Sequence, residues 1–230
     1  QNPAMSAMVG ANYAVDDFNV GTIFASEMLL FSAIAVAVMN MLLVKSNTRE
    51  DEDEGRLEVI QSLPTGRLAS LSACYSMIVL VNLTIVVLLT PLLAAVGDAA
   101  FTWERSLLYS CILSSTGLFF AGWTGVMAQL ADSAQRTVSL SVTALLLAYV
   151  VRLVGDVQNE TLSLLSPLGW ATRTEVFAKD KWWPIALSLG GALLLILLSF
   201  YLHARRDMFA GILPTHSGKI HASACLRTIP

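Results

Sequence analysis

Five blocks of the chain are apolar on every side of any regular helix or strand, and charged residues fall almost wholly between them. The uncharged gaps run 17 residues from Glu27 to Lys45, 30 from Arg67 to Asp98, 26 from Arg105 to Asp132, 15 from Arg136 to Arg152 and 23 from Lys181 to Arg205. A helix of about 20 apolar residues crosses a hydrocarbon layer of about 30 Å. Four blocks reach that length, the first because its apolar run begins near Thr22. The fourth in order, from Thr137, reaches it only by including Arg152, whose aliphatic stem can carry its charge to the interface. The pattern predicts an all-α, polytopic membrane bundle with spans near 22–44, 68–96, 107–130, 137–156 and 183–203. Runs such as Ala192 to Leu198 lack the alternation of a barrel strand. Helices alone satisfy their backbone polar groups within one segment in lipid. Pro91 is expected to kink the second span or end it early.

Composition and charge sharpen this. Of 230 residues, 55% are hydrophobic and 13% charged, about half the charged share of a soluble domain. That argues against a disordered chain and a soluble enzyme. A net charge of -3 with no basic stripe argues against a nucleic-acid partner, and 3 Cys without ligand spacing against a disulfide or metal framework. Nine Lys and Arg fall on one side of the five spans (Lys45, Arg49, Arg56, Arg67, Arg136, Arg205, Arg206, Lys219, Arg227). Five fall on the other (Arg105, Arg152, Arg173, Lys179, Lys181). The richer side is predicted to be cytoplasmic, placing the N-terminus outside and the C-terminus inside. Trp103, Trp182 and Trp183 then sit at the outer interface. The expected organisation is an external segment 1–21, a transmembrane domain 22–203 with a cytoplasmic loop 45–67 and an outer re-entrant segment 157–182, and a cytoplasmic tail or linker 204–230. Segment 1–21 lacks the basic start and apolar core of a signal peptide. With the odd span count and the non-Met start, this leads us to expect an earlier span.

The loop 45–67 carries six acids against four bases. Asn47 or Thr48 is placed to cap a helix with an acidic first turn. Leu57, Ile60, Gln61 and Leu63 give it one partly apolar side, and Pro64 and Gly66 end it. By charge alone it is a solvated loop. Its motifs carry more: Thr48-Arg49 followed by acids, Glu54-Gly55-Arg56-Leu57-Glu58, and Leu63-Pro64-Thr65-Gly66-Arg67. Further along stand Leu165-Ser166-Pro167-Leu168-Gly169-Trp170, Asp180-Lys181-Trp182-Trp183-Pro184, and Ala204-Arg205-Arg206-Asp207 with Gly211-Ile212-Leu213-Pro214. In this order and spacing they resemble permeases of bacterial ABC-2 type exporters, in the polyketide, anthracycline and tetronasin antibiotic group. The likeness covers most of the chain from Thr22 and matches the first half of a duplicated permease without its first span.

That resemblance implies an ABC transporter permease in the bacterial plasma membrane, moving a hydrophobic or amphipathic compound outward by alternating access. Its partners would be an ATPase subunit (as a dimer), a second permease half or copy, and the lipid bilayer. The chain has no GxxxxGK[ST] motif, so it would bind no cofactor itself, with ATP and Mg held by the partner. A short helix near 54–63 would seat on the ATPase through Glu54, Arg56, Glu58 and Arg67, since mixed charges fix register. The run Glu50 to Asp53 reads as a solvated face. The alternative is a non-transporting membrane scaffold or truncated permease remnant.

Four polar residues within or near the spans are candidates for an outer gate or substrate path: Glu27, Asn82, Arg152 and Asp156. Each has a plainer reading. Glu27 is a wet carboxylate at a span end, Asn82 a helix-to-helix bond, and Arg152 with Asp156 a local pair one helical turn apart. Gly117, Gly122, Gly125 and Gly190-Gly191 predict tight helix packing. His203 with Arg205 and Arg206 reads as a juxtamembrane anchor. In the outer segment, Pro167 and Gly169 are expected to form a turn between two short pieces. For orientation, Ser62→Cys in a chain with Cys74, Cys111 and Cys225 replaced is expected to react in intact cells only with a membrane-permeant maleimide. Labelling by an impermeant reagent would reverse the topology.

Overall fold

A computed structural model describes residues 19–55, 66, 68–158 and 163–205, without side-chain detail at 157 and 158. Among the described residues the regular structure is helical: α1 Val20–Ser46, α2 Arg49–Asp53, α3 Ala69–Ala94, α4 Trp103–Leu130, α5 Ala134–Gln158, α6 Pro167–Arg173 and α7 Trp183–Arg205. The helices α1, α3, α4, α5 and α7 are the five long and apolar enough to cross a membrane. The expected five-helix bundle is therefore the one the chain forms.

The helix ends have local causes. Asn19 accepts the Thr22 N–H at 2.8 Å while the Thr22 hydroxyl lies 3.1 Å from the Asn19 N–H, a reciprocal cap that starts α1. Thr102 caps α4, so that helix begins at Trp103 and not near 107. Pro91 does not end its helix. It lies in the last turn of α3, which runs on to Ala94; so close to the terminus its ring removes a single ladder bond.

The bundle is built around α4, which packs against α1, α3, α5 and α7. Of its most apolar stretch 72% is buried, against 22–39% for the other spans. Small residues make this possible. A Cβ on Gly117 would come within 2.5 Å of the Asn40 amide nitrogen and 2.9 Å of the Asn82 amide oxygen. Gly122 sits under Leu195 of α7, and Gly125 under the hydroxyls of Tyr75 and Ser199. Of the glycine pair in α7, Gly191 receives the Phe119 ring, whereas Gly190 meets nothing within 4 Å. Only one of the two packs as expected.

Above Gly117, Asn40 of α1 and Asn82 of α3 bond reciprocally, at 2.6 Å from Asn82 Nδ2 to Asn40 Oδ1 and 3.3 Å in the other direction. Each amide also donates to a carbonyl one turn back, Val36 at 2.9 Å and Ile78 at 2.8 Å. Both side chains are fully buried and spend both N–H bonds. The helix-joining reading of Asn82 is the one its contacts express.

Ser32 lies beside Tyr109 and Asn40 beside Gly117, so α1 and α4 run parallel in fixed register. Glu27 is then level with Glu104, the second residue of α4, and is exposed. It stands at the rim with Trp103, not inside the bundle.

Gly117→Ala is expected to lower stability by about 1–3 kcal/mol through overpacking. Gly190→Ala should stay within about 0.5 kcal/mol of the parent. Thermal unfolding of both variants in lipid nanodiscs tests this difference.

Candidate functional site

Two polar constellations lie at opposite ends of the bundle. At the α2 end the chain after α1 is strapped down by charge. Lys45 pairs with Glu50 at 2.5 Å. Arg49, 1% exposed, donates Nη1 to Glu52 and Nη2 to the Ala131 carbonyl at 2.5 Å. Asp53 accepts the N–H of Ala134, the first residue of α5, at 2.7 Å. Both ends of the turn joining α4 to α5 are thus held by α2. A charged donor on a buried carbonyl is worth about 1.5–3 kcal/mol, so this strap resists fraying.

The expectation that Glu50 to Asp53 form a solvated face holds for Asp53, which is exposed, but Glu50, Glu52 and Asp53 each have a partner and the Glu52 side chain is 12% exposed. Thr48 does not cap α2, because its hydroxyl donates backward to the Val44 carbonyl at 2.5 Å. The helix is five residues long and closes at Gly55, whose φ of +71° suits glycine. Glu54 is exposed on that turn. Arg56, Glu58 and Arg67 lie outside the described residues, as does most of the predicted helix near 54–63. A groove of about 760 Å³ opens beside α2, lined by Leu42, Val138 and Val142 with Asp53 and Glu54. Arg49 and Asp53 were not among the sequence candidates; their signal was a cation standing directly before a run of five acids.

At the tryptophan end, Arg152 and Asp156 of α5 do pair, Nε to Oδ2 at 2.8 Å, with side chains 0% and 2% exposed. Arg152 was expected to carry its charge to the interface. It stays buried instead, and Ser163 of the segment beyond α5 bonds to its partner Asp156. Ser163 donates to Asp156 Oδ1 at 2.9 Å and Ser166 to the Ala148 carbonyl at 2.6 Å. Trp170 packs edge-on against Phe119, in the second half of α4. Pro167 opens α6 and Gly169 lies inside it, so they do not make the turn expected between two pieces. Glycine is needed at 169 because the Ser163 carbonyl occupies the place of a Cβ.

The same end is closed by residues 174–182. Glu175, Phe177 and Asp180 have φ of 46°, 68° and 48°, a conformation that is strained for side-chain-bearing residues, above all a buried phenylalanine. Arg105 holds Asp180 at 2.9 Å, Lys181 holds Glu175 at 2.6 Å, and Asn19 donates to the Phe177 carbonyl at 3.2 Å. The Phe177 ring packs on Phe101 and over Gly21. Of the four candidates near the spans, only Arg152 and Asp156 are brought together. Glu27 is at the rim and Asn82 is in the Asn40 pair. His203 is not simply an anchor: its Nδ1 lies 3.1 Å from Gln129 Oε1, joining α7 to α4.

Five apolar helices long enough to span, a strapped inter-helix hairpin and a short helix packed back on α4 and α5 are the layout of a polytopic membrane domain. A protein-family profile described as "Multidrug efflux system permease Rv1217c, C-terminal domain" matches residues 1–203. The chain belongs to this permease family. The multidrug efflux system permease protein Rv1217c of Mycobacterium tuberculosis (strain ATCC 25618 / H37Rv) is 33% identical over 219 residues. The match covers 94% of this chain and 38% of that relative, so the chain spans well under half of the relative's length. The family description names a C-terminal domain, whereas the loop motifs resemble the first half of a duplicated permease; the two assignments of half differ.

Arg49→Gln is expected to release α2 from the α4–α5 turn. Amide exchange in residues 49–55 and 131–135 should rise by about tenfold or more, with little change in the middle of α4. Unchanged protection at 131–135 would show that the strap is not held by Arg49.

Proposed function

We propose that the chain is a membrane domain of an ATP-binding cassette exporter of the ABC-2 type, moving a hydrophobic or amphipathic compound out of the cell. Its α2 end faces the cytoplasm, in keeping with the excess of Lys and Arg there, and its N-terminal side faces outward. A separate ATPase, dimeric and carrying ATP and Mg, docks on the hairpin through Glu54, Arg56, Glu58 and Arg67. A second permease half or copy completes the pathway. The relative of more than twice this length leaves room for one within a single polypeptide.

One observation carries this reading: α2 is bonded to both ends of the turn at the base of the central helix. A partner that moved α2 would move α4, and with it every span that packs on α4. ATP does work on such a device only if the ATPase-bound hairpin prefers one arrangement of the spans over the other. The relative is a multidrug efflux permease, which supports a lipophilic cargo.

The test is co-purification with an ATPase bearing a GxxxxGK[ST] motif, co-expressed from an adjacent reading frame. Combined Glu54→Lys, Arg56→Glu and Glu58→Lys substitution is expected to remove the ATPase while the permease stays folded and in the membrane. An ATPase that remains bound would overturn this docking site.

A further inference from the structure

The two most deeply buried arginines differ in how their charge is met. Arg49 spends Nη1 and Nη2 on Glu52 and a carbonyl. Arg152 has one ionic neighbour, Asp156 on its own helix, 2.8 Å away but not aligned for a hydrogen bond. Its Nη1 and Nη2 are buried and meet no acceptor among the described residues. Asp156 is itself partly committed, since Oδ1 receives the Ser163 hydroxyl. A buried guanidinium is retained where an acceptor meets it, because an unpaired charge in low dielectric is costly.

We propose that Arg152 is an anion-binding residue, taking the carboxylate or phosphate of an amphiphile on the fork of Nη1 and Nη2. The planar fork offers two parallel N–H bonds spaced for two oxygens of one such group. The surroundings set the rest of the ligand. Leu145, Ala148, Arg152 and Asp156 follow three- and four-residue spacing along one face of α5. Leu145 belongs to the apolar core that also holds Leu168 and Ala171 of the re-entrant segment. Arg152 lies eighteen residues from the start of α5, about 27 Å along its axis, near the far edge of the hydrocarbon layer. An acidic head with an apolar body fits that position. The source of the group is either a lipid headgroup or a free amphiphile; under the exporter proposal, the latter gives the cargo an acidic group.

The experiment measures binding of dodecanoate, dodecyl phosphate and dodecanol to the full chain in phosphatidylcholine nanodiscs. Neither ATP nor an ATPase is present, so failure here leaves the exporter proposal standing, and loss of the ATPase contact leaves this one. The two anions are expected to bind and dodecanol to bind much more weakly. Arg152→Gln should weaken anion binding by about 30-fold, and Arg152→Lys should keep part of it. Asp156→Asn should strengthen binding several-fold by removing the competing carboxylate, an opposite shift that mere loss of packing does not produce. Adding phosphatidylglycerol identifies the source: competition with dodecanoate, lost in Arg152→Gln, assigns a lipid headgroup, and no competition assigns a free amphiphile. Equal binding of dodecanol and dodecanoate, or a loss of binding in both Arg152→Gln and Asp156→Asn, would overturn the site.

Discussion

Lipid tails are as apolar as leucine, so a helix gains nothing from hydrophobicity by leaving them for a neighbouring helix. Association has to come from close van der Waals contact and from hydrogen bonds between helices. In this bundle α4 meets that constraint for the whole domain. Its glycines and hydroxyl residues let α1, α3 and α7 approach closely, and many large aliphatic side chains of α3 and α7 are left on the outside. Leu80, Leu88 and Leu92 of α3 and Leu193, Leu194 and Leu197 of α7 are more than half exposed, as lipid-facing side chains are.

Polar groups inside such a bundle fall into two kinds. The Asn40–Asn82 pair is closed: each amide uses both N–H bonds, and the two oxygens accept across the helix boundary. A closed pair of this kind costs little and fixes the register of α1 against α3. The Arg152–Asp156 pair is open, with Nη1 and Nη2 of Arg152 meeting no acceptor among the described residues. The contrast separates a polar contact that holds helices together from one with capacity to spare for something else.

The spans were legible because a charged residue in hydrocarbon is expensive, so gaps between charges mark where the chain can cross. The small-residue stripe of α4 was legible for a similar reason: Gly117, Gly122 and Gly125 recur at spacings that bring them to packing surfaces. What the sequence did not disclose is mostly partner choice. Asn40 looks like any polar residue near the end of an apolar run until Gly117 lets Asn82 reach it. Arg49 reads as one cation among acids, although a carbonyl more than eighty residues later decides its burial. The position of the segment 163–173 is set by Ser166 and Trp170 meeting α5 and α4, contacts that no local pattern encodes. Gly190 and Gly191 are neighbours in sequence but point to different sides of one helix, so a motif of two glycines overstates the packing by one.

These pieces bear on how a pull at one end is felt at the other. The α4 helix is 28 residues long, about 42 Å, and is packed on all sides, so it transmits displacement better than it absorbs it. Its lower end is tied to α2 through the Ala131 carbonyl, and near its upper end Arg105 grips Asp180. Asp180 belongs to the loop in which three residues hold left-handed backbone conformations at about 1–3 kcal/mol each. That strain is held in place by Arg105, Lys181, Asn19 and the seat of Phe177 over Gly21, and three of these four contacts reach across to α1 or α4. Of these, only the Arg105–Asp180 pair belongs to α4, while Asn19 and Gly21 tie the same loop to α1. In this arrangement the backbone strain is gathered in the loop at the end of α4 opposite the hairpin, where ties from two different helices hold it.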